Sequence, residues 1–319
     1  MTYVRDAIPW DKRGALFNAA RNADESEFAA LQHGKAPIES GISDEVVADF
    51  HHADEPDREL HWRYEEAALD DLSGPLIEEI DRRAALLGDA YPFIREGNAL
   101  RFREASTAAY EFLLITSLHK QLSRKPWNRL PIIFEQICAT TVQLYLGEGA
   151  VSYRTGWPPH DAAQRPRRLR DLMKKINELT EGEFVWAPRP PYGVDGNPAN
   201  PKDEGLDFIA WKPFSDKRLG QMFLLGQCAC GDDWEGKVND LDINKLNRWL
   251  NPVSYADIVR VFAVPHHIPG HYVFGDVCVR AGLVFDRTRI SIISNRNSAQ
   301  FNALHGDNIK QMIELKINN

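Results

Sequence analysis

The chain has 319 residues, 43% hydrophobic and 26% charged, with a formal net charge of −8, enough material for two ordinary domains. No apolar run reaches the roughly 18 to 20 residues of a membrane helix, and residues 1–10 lack a charged start leading into an apolar stretch. Neither a membrane span nor a secretory signal is expected, and the cytoplasm is the expected compartment. Four cysteines, Cys138, Cys228, Cys230 and Cys278, are too few and too irregularly spaced for a disulfide framework and suit free thiols.

The average charge hides an asymmetry. Residues 1–119 carry 12 Lys and Arg against 24 Asp and Glu, whereas residues 120–319 carry 26 against 22. An acidic module joined to a domain that accepts polyanions fits this change of sign. In residues 11–32 and 44–88 apolar side chains recur every three or four positions, as at Leu69, Leu72, Leu76, Ile77, Ile80 and Leu86, which predicts amphipathic helices. Turn signals at Gly34, Pro56, Gly74-Pro75 and Gly88 divide them. The pair His51-His52 points in two directions on a helix, which does not suit a shared metal. Residues 106–122 predict a further helix, so residues 1–122 read as an all-α interaction or regulatory module.

The basic, proline-bounded stretch 123–131 is the expected domain boundary. Beyond it residues 132–146 predict a helix, 150–153 a short strand and 165–179 a basic helix with Arg165, Arg167, Arg168, Arg170, Lys174 and Lys175. Residues 188–201 are rich in Pro, Gly and Asn and read as a loop. Two strands at 206–211 and 222–228 suit a hairpin. A helix at 233–250, a strand at 259–264 and one or two strands at 283–293 complete a mixed sheet flanked by helices, an α/β (α+β) domain over 123–319.

The chemistry concentrates where Lys202-Asp203-Glu204-Gly205-Leu206-Asp207 is followed by Leu225-Gly226-Gln227-Cys228-Ala229. A hairpin would set Asp207 beside Gln227, so that two oxygen ligands converge. Oxygen ligands hold a hard cation with coordination positions left open, and such a cation can activate water against a phosphodiester. A nearby lysine would add positive charge in the transition state.

This order of a helix with a Glu, a strand with an Asp, a hairpin and a strand with Glu or Gln resembles the PD-(D/E)xK, or restriction-endonuclease-like, nuclease superfamily. More specifically it is similar to nuclease domains of bacterial phage-defence operons. Phe134-Glu135-Gln136-Ile137-Cys138, ending at Tyr145-Leu146-Gly147, matches their helix, and Gly231, Trp234 and Lys237 match the spacing after the second strand. The likeness spans residues 131–289. It implies Asp207 as the main Mg²⁺ or Mn²⁺ ligand, Gln227 and the main-chain carbonyl of Cys228 beside it, and Glu135 reaching the metal directly or through water. The family lysine two residues after Glu or Gln is Ala229 here; the resemblance allows that lysine to move to the following helix, where Lys237 is the candidate. The implied function is a Mg²⁺-dependent DNA endonuclease of an anti-phage system, held in check by a protein partner on the N-terminal module or by homo-oligomerisation. The alternative is a catalytically inactive nuclease fold that binds DNA or assembles a defence complex. The six basic residues of 165–175 are the expected DNA contacts.

A rival reading gathers Cys228, Cys230, His266, His267 and His271 into a zinc site, although Cys-x-Cys is a poor match to zinc spacing. Asp240-x-Asp242-x-Asn244 lacks the glycine and the terminal Glu of a calcium loop. Neither a phosphate-binding GxxxxGK[ST] loop nor a G-x-S-x-G elbow is present.

Overall fold

The computed structural model describes residues 10–42, 58–159, 166, 168–190 and 204–318. Helix α1 (Trp10–His33) ends at Gly34, whose φ of 77° turns the chain into strand β1 (Lys35–Pro37). Helix α2 (Arg58–Leu87) is followed by a hairpin of β2 (Phe93–Glu96) and β3 (Ala99–Phe102), and β1 joins it in the order β1-β3-β2, all antiparallel. This small sheet corrects the expectation of an all-α N-terminal module. Its strands are three or four residues long, too short for alternation to stand out from helical spacing. Helix α2 also runs through Pro75, where the sequence predicts a break. An interior proline costs about 3 kcal/mol, and burial of the adjacent Leu76 and of Ile80 offsets it. Leu86 faces solvent, and Leu87 takes the buried place instead. The His51-His52 pair and the turn at Pro56 lie outside the described residues.

Helices α3 (Ala109–Leu118) and α4 (Arg129–Leu146) lead into a larger sheet. Its strands β4 (Val151–Arg154), β5 (Phe208–Lys212), β6 (Met222–Cys228), β7 (Ile258–Ala263) and β8 (Leu283–Phe285) stand side by side in sequence order. The first three form an antiparallel meander and the last three are parallel. Helix α5 (Leu169–Leu179) lies in the β4–β5 connection, the one-turn α6 (Ile243–Leu246) in the β6–β7 crossover, and α7 (His271–Ala281) between β7 and β8. Helices α8 (Arg287–Arg296) and α9 (Ser298–Ile317) follow β8. No helix among the described residues is long and apolar enough to cross a membrane.

The two-residue period of the strands sorts their side chains onto opposite faces. Phe208, Ala210, Leu224 and Phe285 join Phe134 and Ile137 of α4 in one core. Ile209, Trp211, Phe223 and Leu225 face the other way, against Leu172, Met173 and Ile176 of α5. Phe262 and Val284 continue that second face under Val273 and Val277 of α7. The expected class, a mixed sheet flanked by helices, is therefore what the chain builds.

Two further expectations change. Residues 233–250 form a 3-10 turn (Trp234–Lys237) and the short α6, whose N-cap Asp242 accepts a hydrogen bond from the Asn244 N–H at 2.8 Å. Residues 283–293 give β8 and then α8, because the Asp286 carboxylate accepts from the Arg289 N–H at 3.0 Å and caps a helix there. Ile290 is buried on that helix, so its β-branched side chain serves helical packing.

The texture change at 123–131 does not coincide with a break in the interior. A single core runs from Ala23 and Leu31 through Tyr110 and Phe134 to Phe301 and Met312. A buried polar network crosses the same line. Arg287 of α8 donates to both carboxylate oxygens of Asp24 in α1 (2.7 and 2.8 Å) and to Ser117 Oγ of α3 (2.7 Å). Arg83 of α2 donates to Asp24 (2.6 Å), Glu27 (3.0 Å) and Glu79 (2.8 Å). The hydroxyls of Tyr91 and Tyr110 donate to Glu27, each at 2.8 Å. Burial would raise the Asp24 pKa, but the charges of Arg287 and Arg83 win and hold it at about 2.

Candidate active site

Two carboxylates from separate elements meet at the end of the meander. Glu135 lies on α4 and is buried. Asp207 immediately precedes β5, and its carbonyl accepts from the N–H groups of both Thr155 (2.7 Å) and Gly156 (2.9 Å) just after β4. Its Oδ2 accepts from the Cys228 N–H at 2.7 Å. Asp207 is thus tied to both neighbouring strands. Gly156 stands directly beneath the two acids: a Cβ there would overlap Glu135 Oε2 and lie 3.1 Å from Asp207 Oδ1. Both oxygens therefore face one small space over the Gly156 Cα. Arg154, at the end of β4, enters it as well, with Nη2 2.6 Å from Glu135 Oε2. Neither Arg154 nor Gly156 was legible as a site residue, since a lone Arg-Thr-Gly has no distinctive spacing.

Gln227 comes level with Asp207 in the hairpin, where the Asp207 N–H donates to Gly226 O at 2.8 Å. Its side chain does something other than the expected ligation. Strand alternation sends it to the face opposite Cys228 and α4, where Nε2 donates to the Lys237 carbonyl (2.8 Å) and Oε1 accepts from the Leu241 N–H (3.0 Å). Gln227 is a strut for the segment after β6. Lys237 sits on that segment, 39% exposed, with Nζ 2.9 Å from Asp233 Oδ1. Cys228 does face α4. Burial first, and then the neighbouring Cys138 thiol and the charges of Asp207 and Glu135, raise the pKa of its thiol; burial and then the charges of Glu135, Cys138 and Asp207 raise that of Cys230, so both are thiols rather than thiolates in the metal-free protein.

Zinc ligation by the histidines also lacks support. The His267 ring pairs with Thr288 Oγ1 at 2.9 Å, and His266 Nε2 lies 3.3 Å from the Cys230 carbonyl. Burial, seconded by Arg83, Arg82 and Arg287, pushes the His267 pKa well down. Among the described residues no three His, Cys, Asp or Glu side chains gather to hold a metal ion. A site at Glu135 and Asp207 has two carboxylates and would draw its other ligands from main chain and water, which suits Mg²⁺, a cation that keeps several waters and takes one or two carboxylates.

Among the basic residues, Arg165 and Arg167 lie outside the described set. Arg168, the N-cap of α5, and Arg170 and Lys174 on it are exposed, while Leu169, Leu172, Met173 and Ile176 bury the other face. Lys175 lies 5.2 Å from the centre of the Tyr153 ring, next in sequence to Arg154. The helix thus presents cations on the side of the sheet opposite α4.

No family model matches the chain, and the searches of curated proteins and of solved structures find no similar protein either.

Proposed function

We propose that the chain is a metal-dependent nuclease of the restriction-endonuclease-like kind that hydrolyses DNA phosphodiester bonds. The observation that carries this reading is the meeting of Glu135 and Asp207 over Gly156. The order of Glu135 on a helix, Asp207 before a strand and a hairpin to the next strand also follows the motif resemblance. Glu135 and Asp207 would hold Mg²⁺ or Mn²⁺, with the Cys228 carbonyl beside them, since the N–H and C=O of one strand residue project to the same edge and that N–H reaches Asp207. Such a cation supplies charge for the phosphoryl oxygens and lowers the pKa of a bound water. The chain's own groups orient the substrate. Arg154 offers a guanidinium to a phosphate oxygen, and Arg168, Arg170 and Lys174 contact the phosphate backbone. Lys237, supported through Gln227, would turn from Asp233 toward the attacking water. A role in defence against foreign DNA, restrained by a partner, rests on the motif resemblance.

A second reading, a nuclease fold that binds DNA without cutting it, is favoured by the ion pairs of Glu135 with Arg154 and of Lys237 with Asp233. Incubation of the protein with supercoiled plasmid and Mg²⁺ or Mn²⁺ separates the two. Nicking that disappears with EDTA and with Asp207→Ala supports the enzyme. DNA retained in a mobility shift but never cut, in either metal, supports the binding subunit.

A further inference from the structure

A pocket of ≈ 640 Å³ opens between the end of β3, the start of α3 and α9. Its size is that of a small-molecule site. Exposed Glu104, Asp307 and Glu314 line it against one cation, Lys310. Leu31, Ile309 and Ile313 give it an apolar wall. Glu111, in the first turn of α3, lies at its buried end, only 3% exposed, and its Oε2 has no hydrogen-bond partner. Leaving such an oxygen unsatisfied costs on the order of 1 to 3 kcal/mol, which a donor entering the pocket would relieve. Nothing in the nuclease reading uses Glu111.

We propose that this pocket binds a small organic cation, a guanidinium or ammonium head on a short aliphatic stem, with the head on Glu111 and the stem against Ile309 and Ile313. The excess of carboxylates disfavours phosphates and other anions, and the apolar wall disfavours a bare, strongly hydrated metal ion. A guanidinium fits best, because its fork of donors matches a carboxylate. Burial, opposed by the Glu111 backbone N–H and seconded by the Glu104 charge, pushes the Glu111 carboxyl up to about 8. The free protein therefore holds it neutral near pH 7, and binding a cation must release its proton.

The test is calorimetric titration of the full chain with butylguanidinium, with 1-butanol as the neutral control and a Gly-Arg-Gly peptide as the protein-borne source of the same head group. Saturable binding of butylguanidinium but not butanol is expected, with affinity rising about tenfold from pH 7 to pH 9 as Glu111 ionises. Proton release at pH 7, read from titrations in two buffers of different ionisation enthalpy, should vanish at pH 9. Glu111→Gln, which keeps a neutral side chain of the same shape, should weaken binding about tenfold or more while melting no lower than the wild type at pH 7, since it removes the cost of keeping a carboxyl protonated. Tighter binding of the peptide assigns the cation to a protein partner, and tighter binding of butylguanidinium to a free metabolite. Absence of saturable binding, equal binding of butanol, or uptake without proton release in the wild-type protein overturns the proposal.

Discussion

Replacing Gly156 with alanine is the sharpest perturbation of the candidate active site. The φ of Gly156 is not positive, so the backbone tolerates alanine, and the hydrogen bond from its N–H to the Asp207 carbonyl is retained. The added methyl, however, overlaps Glu135 Oε2 and crowds Asp207 Oδ1. Relief requires the Glu135 carboxylate to withdraw by on the order of 1 Å, and a displacement of that size can reduce turnover about 100-fold. Overpacking a buried spot should also lower stability by about 1 to 3 kcal/mol. The assay is single-turnover cleavage of supercoiled plasmid in Mn²⁺, with urea unfolding as the check on the fold. Gly156→Ala combined with Glu135→Asp, which shortens the acid by one methylene, should recover part of the lost rate. Wild-type cleavage by a folded Gly156→Ala protein would place the chemistry elsewhere.

Arg287→Met should destabilise the protein by about 3 to 5 kcal/mol, because it leaves Asp24 and Glu27 buried with one cation fewer. Adding Asp24→Asn should restore part of that in urea unfolding, and a loss under about 1 kcal/mol for the single change would show the network to be incidental. Gln227→Glu should cost about 1 to 3 kcal/mol without tightening Mn²⁺ binding, since a carboxylate cannot donate to the Lys237 carbonyl; tighter metal binding in this variant would make residue 227 a ligand after all. His305 is buried on α9 beside Thr140 (2.8 Å), and burial lowers its pKa to about 4. Its pKa is lower folded than unfolded, so the stability it supports is full above about pH 6.5 and falls as pH drops toward 4, by up to about 3 kcal/mol. Glu111 acts with the opposite sign between about pH 4.5 and 8, so the readout is the difference in unfolding free energy between wild type and His305→Asn across that window. A pH-independent difference would show that His305 is not buried as a neutral ring.

Local pattern determined much of this protein by itself. Apolar runs located α1, α4 and β6, because each is long enough to stand out from its neighbours, β6 being buried on both faces and α4 on most of its surface. The same reading placed Asp207 and Gln227 level across a hairpin, as the antiparallel pairing of Phe208 with Gly226 requires. Only the tertiary structure decided which way those side chains turn. The two donors on the Asp207 carbonyl fix that acid at the strand end, whereas alternation sends Gln227 to the other face, and no property of either residue type announces the difference. Burial carried α2 through Pro75, and the Asp286 cap turned a β-branched run into a helix. The ion pair between Asp24 and Arg287, 263 residues apart, joins an acidic first half to a basic second half that composition presents as separate. Sequence records periods and composition, but a contact between distant segments exists only once the chain has closed on itself.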